Sequence, residues 1–318
     1  MVNNKFERDG IILLNKEKGM TSFTAVSKLK KIIKAGKAGH AGTLDPMAEG
    51  LLIVMINNVT KFSDDFMKKD KEYYVEFELG YETDTYDLEG EVIRRYEGEI
   101  DIPEERIIET VKSFKGKIEQ VPPMYSAIKV KGEKLYNLAR KGIEIERKPR
   151  KVKIYSVREI KVEKDVFWKV SFYVEVGSGT YIRSLVRDIG EKLGVYATMT
   201  KLVRTKVDKF TLDESVSLEE VESEMEKSGR IPKFQSVEFL FNYDTIVVSE
   251  EKYKNLKNGM TVLISNRKVV NPASVQENKL YSIYVNDRAT QKREFKGIGR
   301  VVRKSFDKIY LKRDKYFV

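Results

Sequence analysis

The chain of 318 residues contains no cysteine and only one histidine, His40. Without cysteine it has no disulfide framework, no thiol nucleophile and no thiolate metal site. One histidine is too few for a multi-histidine zinc site, so a metal would have to be held by oxygen ligands alone. The sequence therefore predicts no metal site.

Long apolar runs are also absent. No stretch approaches 18 uninterrupted apolar residues, and the opening MVNNK lacks a hydrophobic signal core. We therefore expect a cytoplasmic protein with no membrane segment. Glutamine occurs only four times while 34% of the residues are charged, a composition that points to a thermophilic source.

Positive charge is abundant and concentrated in two places. The net charge is +11, and residues 241–318 alone hold 17 Lys or Arg against 8 Asp or Glu. A second concentration, residues 129–153, has ten basic and three acidic residues. Clustered Lys and Arg bind phosphates by releasing counterions, so this distribution favours a nucleic-acid partner.

Alternating apolar residues predict half-buried strands over residues 71–80 and 168–176, and the apolar run at 51–56 predicts a buried strand. Apolar residues at helical spacing predict a helix that is capped by Thr21 or Ser22 and ends near residue 36. After about residue 240, short alternating segments punctuated by Gly and Asn predict a small, mostly β domain.

A second helix is predicted from a Thr180 cap to about Gly194. Arg183 falls in its first turn, where the helix dipole disfavours a cation. It should need a negative partner, either a backbone phosphate or a carboxylate such as Asp45, although an exposed, unpaired arginine remains an alternative.

Residues 39–50 read GHAGTLDPMAEG. Pro46 favours an extended conformation at Asp45, and the glycines permit turns, so the segment can present one carboxylate. An Asp-Pro pair alone is more often only a turn. Residues 84–90 have the wrong spacing for a calcium loop, and we interpret them as a turn at the end of a strand.

Four separated motifs within residues 10–205 resemble the TruB family of pseudouridine synthases. They are GHAGTLDPMAEG at 39–50, KEY at 71–73 with LGYETDTYDLEG at 79–90, PPMYSAIK at 122–129, and GTYIRSL at 179–185. The segment GIGRVV at 297–302 is more weakly similar to a PUA domain, an RNA-binding module. Glu17 departs from the family pattern, which usually has proline there.

The resemblance implies an α+β architecture, the pseudouridine synthase fold, with a mixed, largely antiparallel central sheet flanked by helices. A small, mostly β PUA domain would follow. The implied domains are residues 1–240 for catalysis, with a basic RNA-clamp insertion at about 124–152, and residues 241–318 for RNA binding.

The activity that the resemblance implies is isomerisation of uridine 55, in the T loop of tRNA, to pseudouridine. The base would be flipped out and attacked by Asp45, either at ribose C1′ or on the uracil ring. No cofactor would be needed. We expect the tRNA T stem-loop as the partner, no required protein partner, and a monomer.

The same resemblance assigns roles to single residues. Arg183 would pair with Asp45, Tyr73 would stack on the target base and accept a proton, and His40 would fill the gap left by the flipped base. The other implied substrate- or RNA-binding residues are Tyr181, Leu202, Lys71, Lys16 and Lys129.

The sequence is also compatible with two alternative functions. The catalytic subunit of RNA-guided pseudouridylases shares the Asp45 loop and a PUA domain, although the motif at 125–127 and the short chain favour a stand-alone enzyme. A non-catalytic tRNA-binding or tRNA-folding module would use Asp45 only structurally.

Overall fold

The protein's structure, a computed structural model, describes residues 6–126, 128–130, 132–241, 243–265, 275–286, 293–305 and 308–317. The helices are α1 (Ser22–Ile32), α2 (Ser63–Met67), α3 (Glu104–Lys112), α4 (Leu135–Arg140), α5 (Ile182–Leu193), α6 (Leu218–Ser228) and α7 (Glu250–Lys257). The strands are β1 (Gly10–Lys16), β2 (Ala38–His40), β3 (Glu49–Ile56), β4 (Lys71–Leu79), β5 (Tyr81–Thr83), β6 (Val92–Arg95), β7 (Gly116–Gln120), β8 (Lys129–Val130), β9 (Glu133–Lys134), β10 (Arg150–Lys164), β11 (Trp168–Val176), β12 (Ala197–Val207), β13 (Phe210–Thr211), β14 (Gln235–Ser236), β15 (Thr245–Val248), β16 (Val262–Ser265), β17 (Leu280–Asn286), β18 (Arg293–Ser305) and β19 (Lys308–Phe317).

A ten-stranded sheet forms the body of the protein. Eight of its strands follow the order β14-β1-β3-β12-β4-β11-β10-β7, with β13 paired to β12 and β2 paired to β3. The β3–β12 pair is parallel, whereas its neighbours along this path are antiparallel. The predicted mixed, largely antiparallel sheet is thus confirmed.

Helices cover the sheet because their apolar sides complete its cores. Residues of α3 and α5 join a buried cluster with β4, β11 and β12, and α1 and α6 contribute to a second cluster with β1 and β3. The alternating burial of β4 and β11 follows the alternation of their sequences. The predicted strands at 71–80 and 168–176 are therefore confirmed.

The parallel pairing of β3 with β12 brings the segment that carries Asp45 next to β12. Gly50 pairs with Arg204 there and has a φ of +101°. A Cβ atom at Gly50 would lie 2.5 Å from the carbonyl oxygen of Arg204, so only glycine allows the two strands to approach this closely. The segment that carries Asp45 leads directly into this junction.

The ends of α1 and α5 agree only in part with the helix boundaries predicted from the sequence. Thr21 caps α1 by accepting a hydrogen bond from the backbone N–H of Thr24 at 3.0 Å, but α1 ends at Ile32, earlier than predicted, because Lys34 takes a left-handed conformation. Gly194 ends α5 in the left-handed conformation, as expected.

The predicted Thr180 cap is wrong. Tyr181 is the N-cap residue of α5 and makes no side-chain cap hydrogen bond. The Thr180 hydroxyl instead donates to the carbonyl of Gly177 at 2.9 Å, closing the turn before the helix.

The described residues between 245 and 317 include a five-stranded sheet in the order β15-β17-β18-β19-β16, with its own buried cluster that includes α7 residues. Ile298 from β18 joins the cluster of the large sheet that contains Phe66, and Phe241 packs against that cluster. Among the described residues, no helix is long and apolar enough to cross a membrane.

Candidate active site

Asp45 lies in the turn between β2 and β3 and meets the N-terminal end of α5. Its Oδ2 atom is 3.0 Å from Nε of Arg183. The Asp45 side chain is 35% exposed, whereas that of Arg183 is only 5% exposed. A solvent-accessible carboxylate is therefore held by a cation that is largely shielded from water, where charge–charge interactions are stronger.

Hydrogen bonds from the two Nη atoms of Arg183 fix the orientation of its guanidinium group. One Nη atom donates to the carbonyl of Thr85 at 3.1 Å and the other to that of Tyr125 at 2.7 Å. Its Nε atom is also 3.5 Å from Oδ2 of Asp87. The negative partner expected for a cation in the first turn of this helix is thus present, and it is a pair of carboxylates.

Asp87 also belongs to this site, although the local pattern of residues 84–90 predicts only a turn. The side chain is 2% exposed, and its Oδ1 atom accepts hydrogen bonds from the Thr85 hydroxyl at 2.6 Å and the Glu89 N–H at 3.0 Å. Burial raises the pKa of Asp87, and the Arg183 charge opposes that rise. The family motif LGYETDTYDLEG, which contains Asp87, is the sequence signal that could have identified this residue.

Apolar and aromatic side chains pack against the loop that carries Asp45. Tyr73 on β4 and Leu202 on β12 are 8% and 5% exposed and belong to the same cluster as Leu44 and Met47, which flank Asp45. The backbone of Tyr181 is held by Gln120, whose side chain both accepts from and donates to it at 2.8 and 3.0 Å. Burial raises the pKa of the Tyr181 phenol, which keeps it neutral.

Two of the predicted RNA-binding lysines are buried. The Lys16 ammonium donates to the carbonyls of Glu17, Met20 and Pro46 at 2.9, 2.8 and 3.4 Å. The Lys71 ammonium donates to the carbonyls of Met67 and Lys69. Burial lowers the pKa of each lysine to about 8.

The bond to Pro46 places Lys16 against the Asp45 loop. Lys71 also lies near this loop, because a Cβ atom at Gly42 would be 3.6 Å from its Cε atom. The ammonium groups of both lysines are bound to backbone. Lys129 belongs to β8, and its side chain lies outside the described part of the structure.

His40 ends β2, where it pairs with Val54 of β3. It is partly buried, and its Nδ1 atom is buried without a hydrogen-bond partner in the structure. Burial and the charge of Arg204 lower the pKa of His40. The imidazole is therefore neutral at pH 7 and is poorly suited to act as a cationic acid.

The arrangement around Asp45 suits nucleophilic chemistry. Within the described ranges, no group of three or more His, Cys, Asp or Glu side chains is placed to hold a metal ion. Asp45 offers an accessible carboxylate oxygen beside a buried guanidinium and an apolar wall, which are the requirements for attack on an organic substrate.

Comparisons with known proteins show similarity along most of the chain. Residues 30–182 match the family model for the TruB family pseudouridylate synthase (N terminal domain), and residues 183–234 match that of the tRNA pseudouridylate synthase B C-terminal domain. The tRNA pseudouridine synthase B of Clostridium tetani is 41% identical over 94% of this chain and 97% of its own length. The protein of the same name from Fusobacterium nucleatum is 43% identical over 92% and 96%.

The fold is also that of a solved H/ACA RNP bound to a substrate RNA containing 2′-deoxyuridine. The TM-score is 0.67 at 23% identity, over 97% of this chain and 85% of that one. At that identity the likeness shows the shared fold alone. Together with both family models and the relatives, these findings establish that the chain belongs to the TruB family of pseudouridylate synthases.

Proposed function

We propose that the protein isomerises uridine 55 in the T loop of tRNA to pseudouridine. The observation that carries the proposal is the accessible Asp45 carboxylate, 3.0 Å from the buried Arg183 guanidinium. The relatives that carry the name tRNA pseudouridine synthase B align over almost their whole length, which supports the same substrate class.

Asp45 is the nucleophile in this proposal. Its carboxylate forms a covalent bond to ribose C1′ or to the uracil ring, and the C1′–N1 bond breaks. After the base has turned, a C1′–C5 bond forms and the bond to Asp45 breaks, which restores the free carboxylate. The hydrogen on C5 is lost as a proton and N1 gains one, so the net reaction is an isomerisation that consumes no cofactor. Arg183 favours the ionised form of Asp45 because an adjacent cation stabilises a carboxylate.

A uridine inside a folded loop has to leave the base stack to reach Asp45, which costs a few kcal/mol of stacking. In the proposed reaction, Tyr73, Tyr181 and Leu202 form an aromatic and apolar wall for the flipped uracil, and Tyr73 also accepts a proton. The neutral ring of His40 fills the space that the base leaves.

We assign the tRNA contacts to the two basic concentrations. Residues 1–240 form the catalytic domain, with residues about 124–152, including Lys129, as an RNA clamp. Residues 241–318 form a PUA domain that binds the RNA backbone by charge and shape. Lys16 and Lys71 act on the RNA indirectly, by supporting the Asp45 loop. The enzyme acts as a monomer without a partner protein.

The decisive experiment measures tritium release from uridine labelled at C5 in a tRNA transcript, with the purified chain alone. We expect release with the wild-type chain, and loss of release with retained tRNA binding for Asp45→Asn. Equal release by both proteins would exclude Asp45 as the nucleophile. A requirement for a guide RNA or added proteins would favour an RNA-guided subunit, and tRNA binding without release would favour a binding module.

A further inference from the structure

The backbone carbonyls around Asp45 are all engaged. Each oxygen from Gly42 to Pro46 accepts a hydrogen bond, and the donors come from three separate parts of the fold. The bonds are Arg204 Nη2 to Gly42 (3.2 Å), Arg204 Nη1 to Thr43 (3.4 Å), the Ser22 hydroxyl to Leu44 (3.0 Å), the Ala48 N–H to Asp45 (3.1 Å), and the Gly19 N–H to Pro46 (2.8 Å).

Arg204 is the donor that touches both sides of the loop. Besides Gly42 and Thr43, it donates from Nε to the carbonyl of Leu51 at 2.7 Å, beyond the loop in β3. Its side chain is completely buried. These three acceptors are backbone carbonyls, so the structure buries a full charge against partial charges, an arrangement that costs stability when compared with an apolar side chain.

Gly50 allows β3 to approach the backbone of Arg204 closely. Because its missing side chain lets β3 lie against the backbone of Arg204, the guanidinium extends from β12 under the turn that carries Asp45. Burial lowers the pKa values of Lys16, His40 and Lys71, and the charge of Arg204 lowers them further, which places these three groups near the guanidinium. Arg204 therefore lies at the centre of the loop's support.

We propose that Arg204 is a positioning residue for the reaction: it holds the Asp45 loop in the conformation that meets Arg183 and the substrate before RNA binds. This inference rests on the proposed function. Loops are otherwise the mobile parts of a fold, and displacement of a nucleophile by about 1 Å can lower a rate about a hundredfold. This role explains why the fold keeps the buried charge of Arg204, which lowers stability: the guanidinium fixes the position of the Asp45 loop.

Ser22 acts in the same way from a different element. Its hydroxyl donates to the carbonyl of Leu44 and accepts from the N–H of the same residue at 2.8 Å, directly before Asp45. The residue is 1% exposed at the start of α1. Two independent elements therefore fix the backbone next to the nucleophile.

The test compares Arg204→Met and Arg204→Lys with wild type in single-turnover pseudouridine formation at saturating enzyme, together with the Kd for tRNA. The matched control is Lys201→Met, an exposed lysine of β12 whose ammonium lies 3.8 Å from Glu76. We expect Arg204→Met to lower the rate constant by about 30- to 100-fold with little change in Kd. Arg204→Lys should recover part of the rate, and Lys201→Met should match wild type.

Ser22→Ala keeps the test decisive if Arg204→Met does not fold. We expect it to fold, by circular dichroism and thermal melting, and to lower the rate constant by about 5- to 10-fold. A folded Arg204→Met with the wild-type rate constant, or one whose only defect is weaker tRNA binding, would overturn the inference. If Arg204→Met is unfolded, a wild-type rate in Ser22→Ala would do so. If the wild-type chain itself forms no pseudouridine, the proposed function fails and the inference falls with it.

Discussion

Nε of Arg183 lies 3.0 Å from Oδ2 of Asp45, and this ion pair is asymmetric in its exposure to water. Arg183 is almost fully buried, whereas about a third of the Asp45 side chain is exposed. The second carboxylate at the same nitrogen, Asp87, is buried and bound by Thr85 and by the N–H of Glu89. Asp87 is thus fixed, and Asp45 is the carboxylate that can approach a substrate.

Replacement of Asp87 should reduce chemistry without reducing tRNA binding. In Asp87→Asn, Arg183 loses one of its two anionic partners, and Asp45 becomes its only carboxylate partner, which makes the nucleophile less available for attack. We expect a fall of about 10- to 100-fold in the single-turnover rate constant, equal to about 1.4–3 kcal/mol. Quench-flow measurement with tritiated tRNA, and filter binding for Kd, would check it.

The control is Asp84→Asn, on the same turn, whose carboxylate accepts from the N–H of Glu91 and is exposed. It should keep the wild-type rate constant. An Asp87→Asn protein as fast as Asp84→Asn would show that Asp87 does not influence the nucleophile.

The buried Lys16 should leave a signature in the pH dependence of stability. Burial lowers its pKa from 10.5 to about 8 in the folded protein. Between these pH values the unfolded chain binds more protons than the folded one, so stability rises with pH. Compared with Lys16→Met, the wild-type free energy of unfolding should gain up to about 3 kcal/mol from pH 8 to 10.5.

Urea unfolding of both proteins across that pH range measures the difference. Lys18→Met is the matched control, because Lys18 is exposed on the neighbouring turn, and its difference from wild type should stay constant with pH. A constant difference for Lys16→Met as well would mean that Lys16 keeps an ordinary pKa in the folded protein.

Local patterns predicted the regular elements well but could not predict side chains whose surroundings come from distant segments. β11 begins and ends where its alternation indicated, because one sheet face is apolar. Arg204 looks like any polar residue in a strand, and only the parallel pairing of β3 with β12 buries it under the loop. Asp87 likewise reads as a turn residue until Arg183 lies beside it.

The family resemblance identified Asp45 and Arg183 as partners before any geometry was known, and the structure does place them together. The Thr180 cap failed because the hydroxyl had a nearer acceptor, the carbonyl of Gly177. Competition between local hydrogen bonds of this kind depends on distances of a few tenths of an ångström, which residue type alone does not determine.

Gly50 should not tolerate a side chain. Gly50→Ala would place a Cβ atom 2.5 Å from the Arg204 carbonyl oxygen, at a φ of +101° that alanine rarely adopts. Because backbone would have to move on both strands, we expect a loss of about 2–4 kcal/mol in unfolding free energy. Gly39→Ala is the control, since its nearest neighbour would be a Thr60 methyl group at 3.5 Å. Equal melting curves for the two variants would contradict a close approach at the junction.

His40 offers a test between filling space and transferring protons. Its imidazole has a lowered pKa and a buried Nδ1 atom without a partner, so at pH 7 it presents a neutral, flat ring. His40→Phe keeps such a ring, whereas His40→Ala removes it. Stacking of one base on an aromatic ring is worth about 1–3 kcal/mol, so the alanine variant should be slower than the phenylalanine variant by about 5- to 150-fold.

The pH dependence supplies an independent check on the same residue. Below about pH 6.5 the unfolded chain protonates His40 while the folded protein resists, so the wild-type protein loses stability as the pH falls. His40→Phe lacks that group, and its free energy of unfolding should fall less steeply from pH 7 to pH 5 than that of wild type. Its pH–rate profile near neutrality should keep the wild-type shape, because no proton is transferred by the ring. Equal loss of activity in His40→Phe and His40→Ala proteins that still fold and bind tRNA would instead require a proton-transfer role for the imidazole, and a His40→Ala protein more active than His40→Phe would exclude the space-filling role.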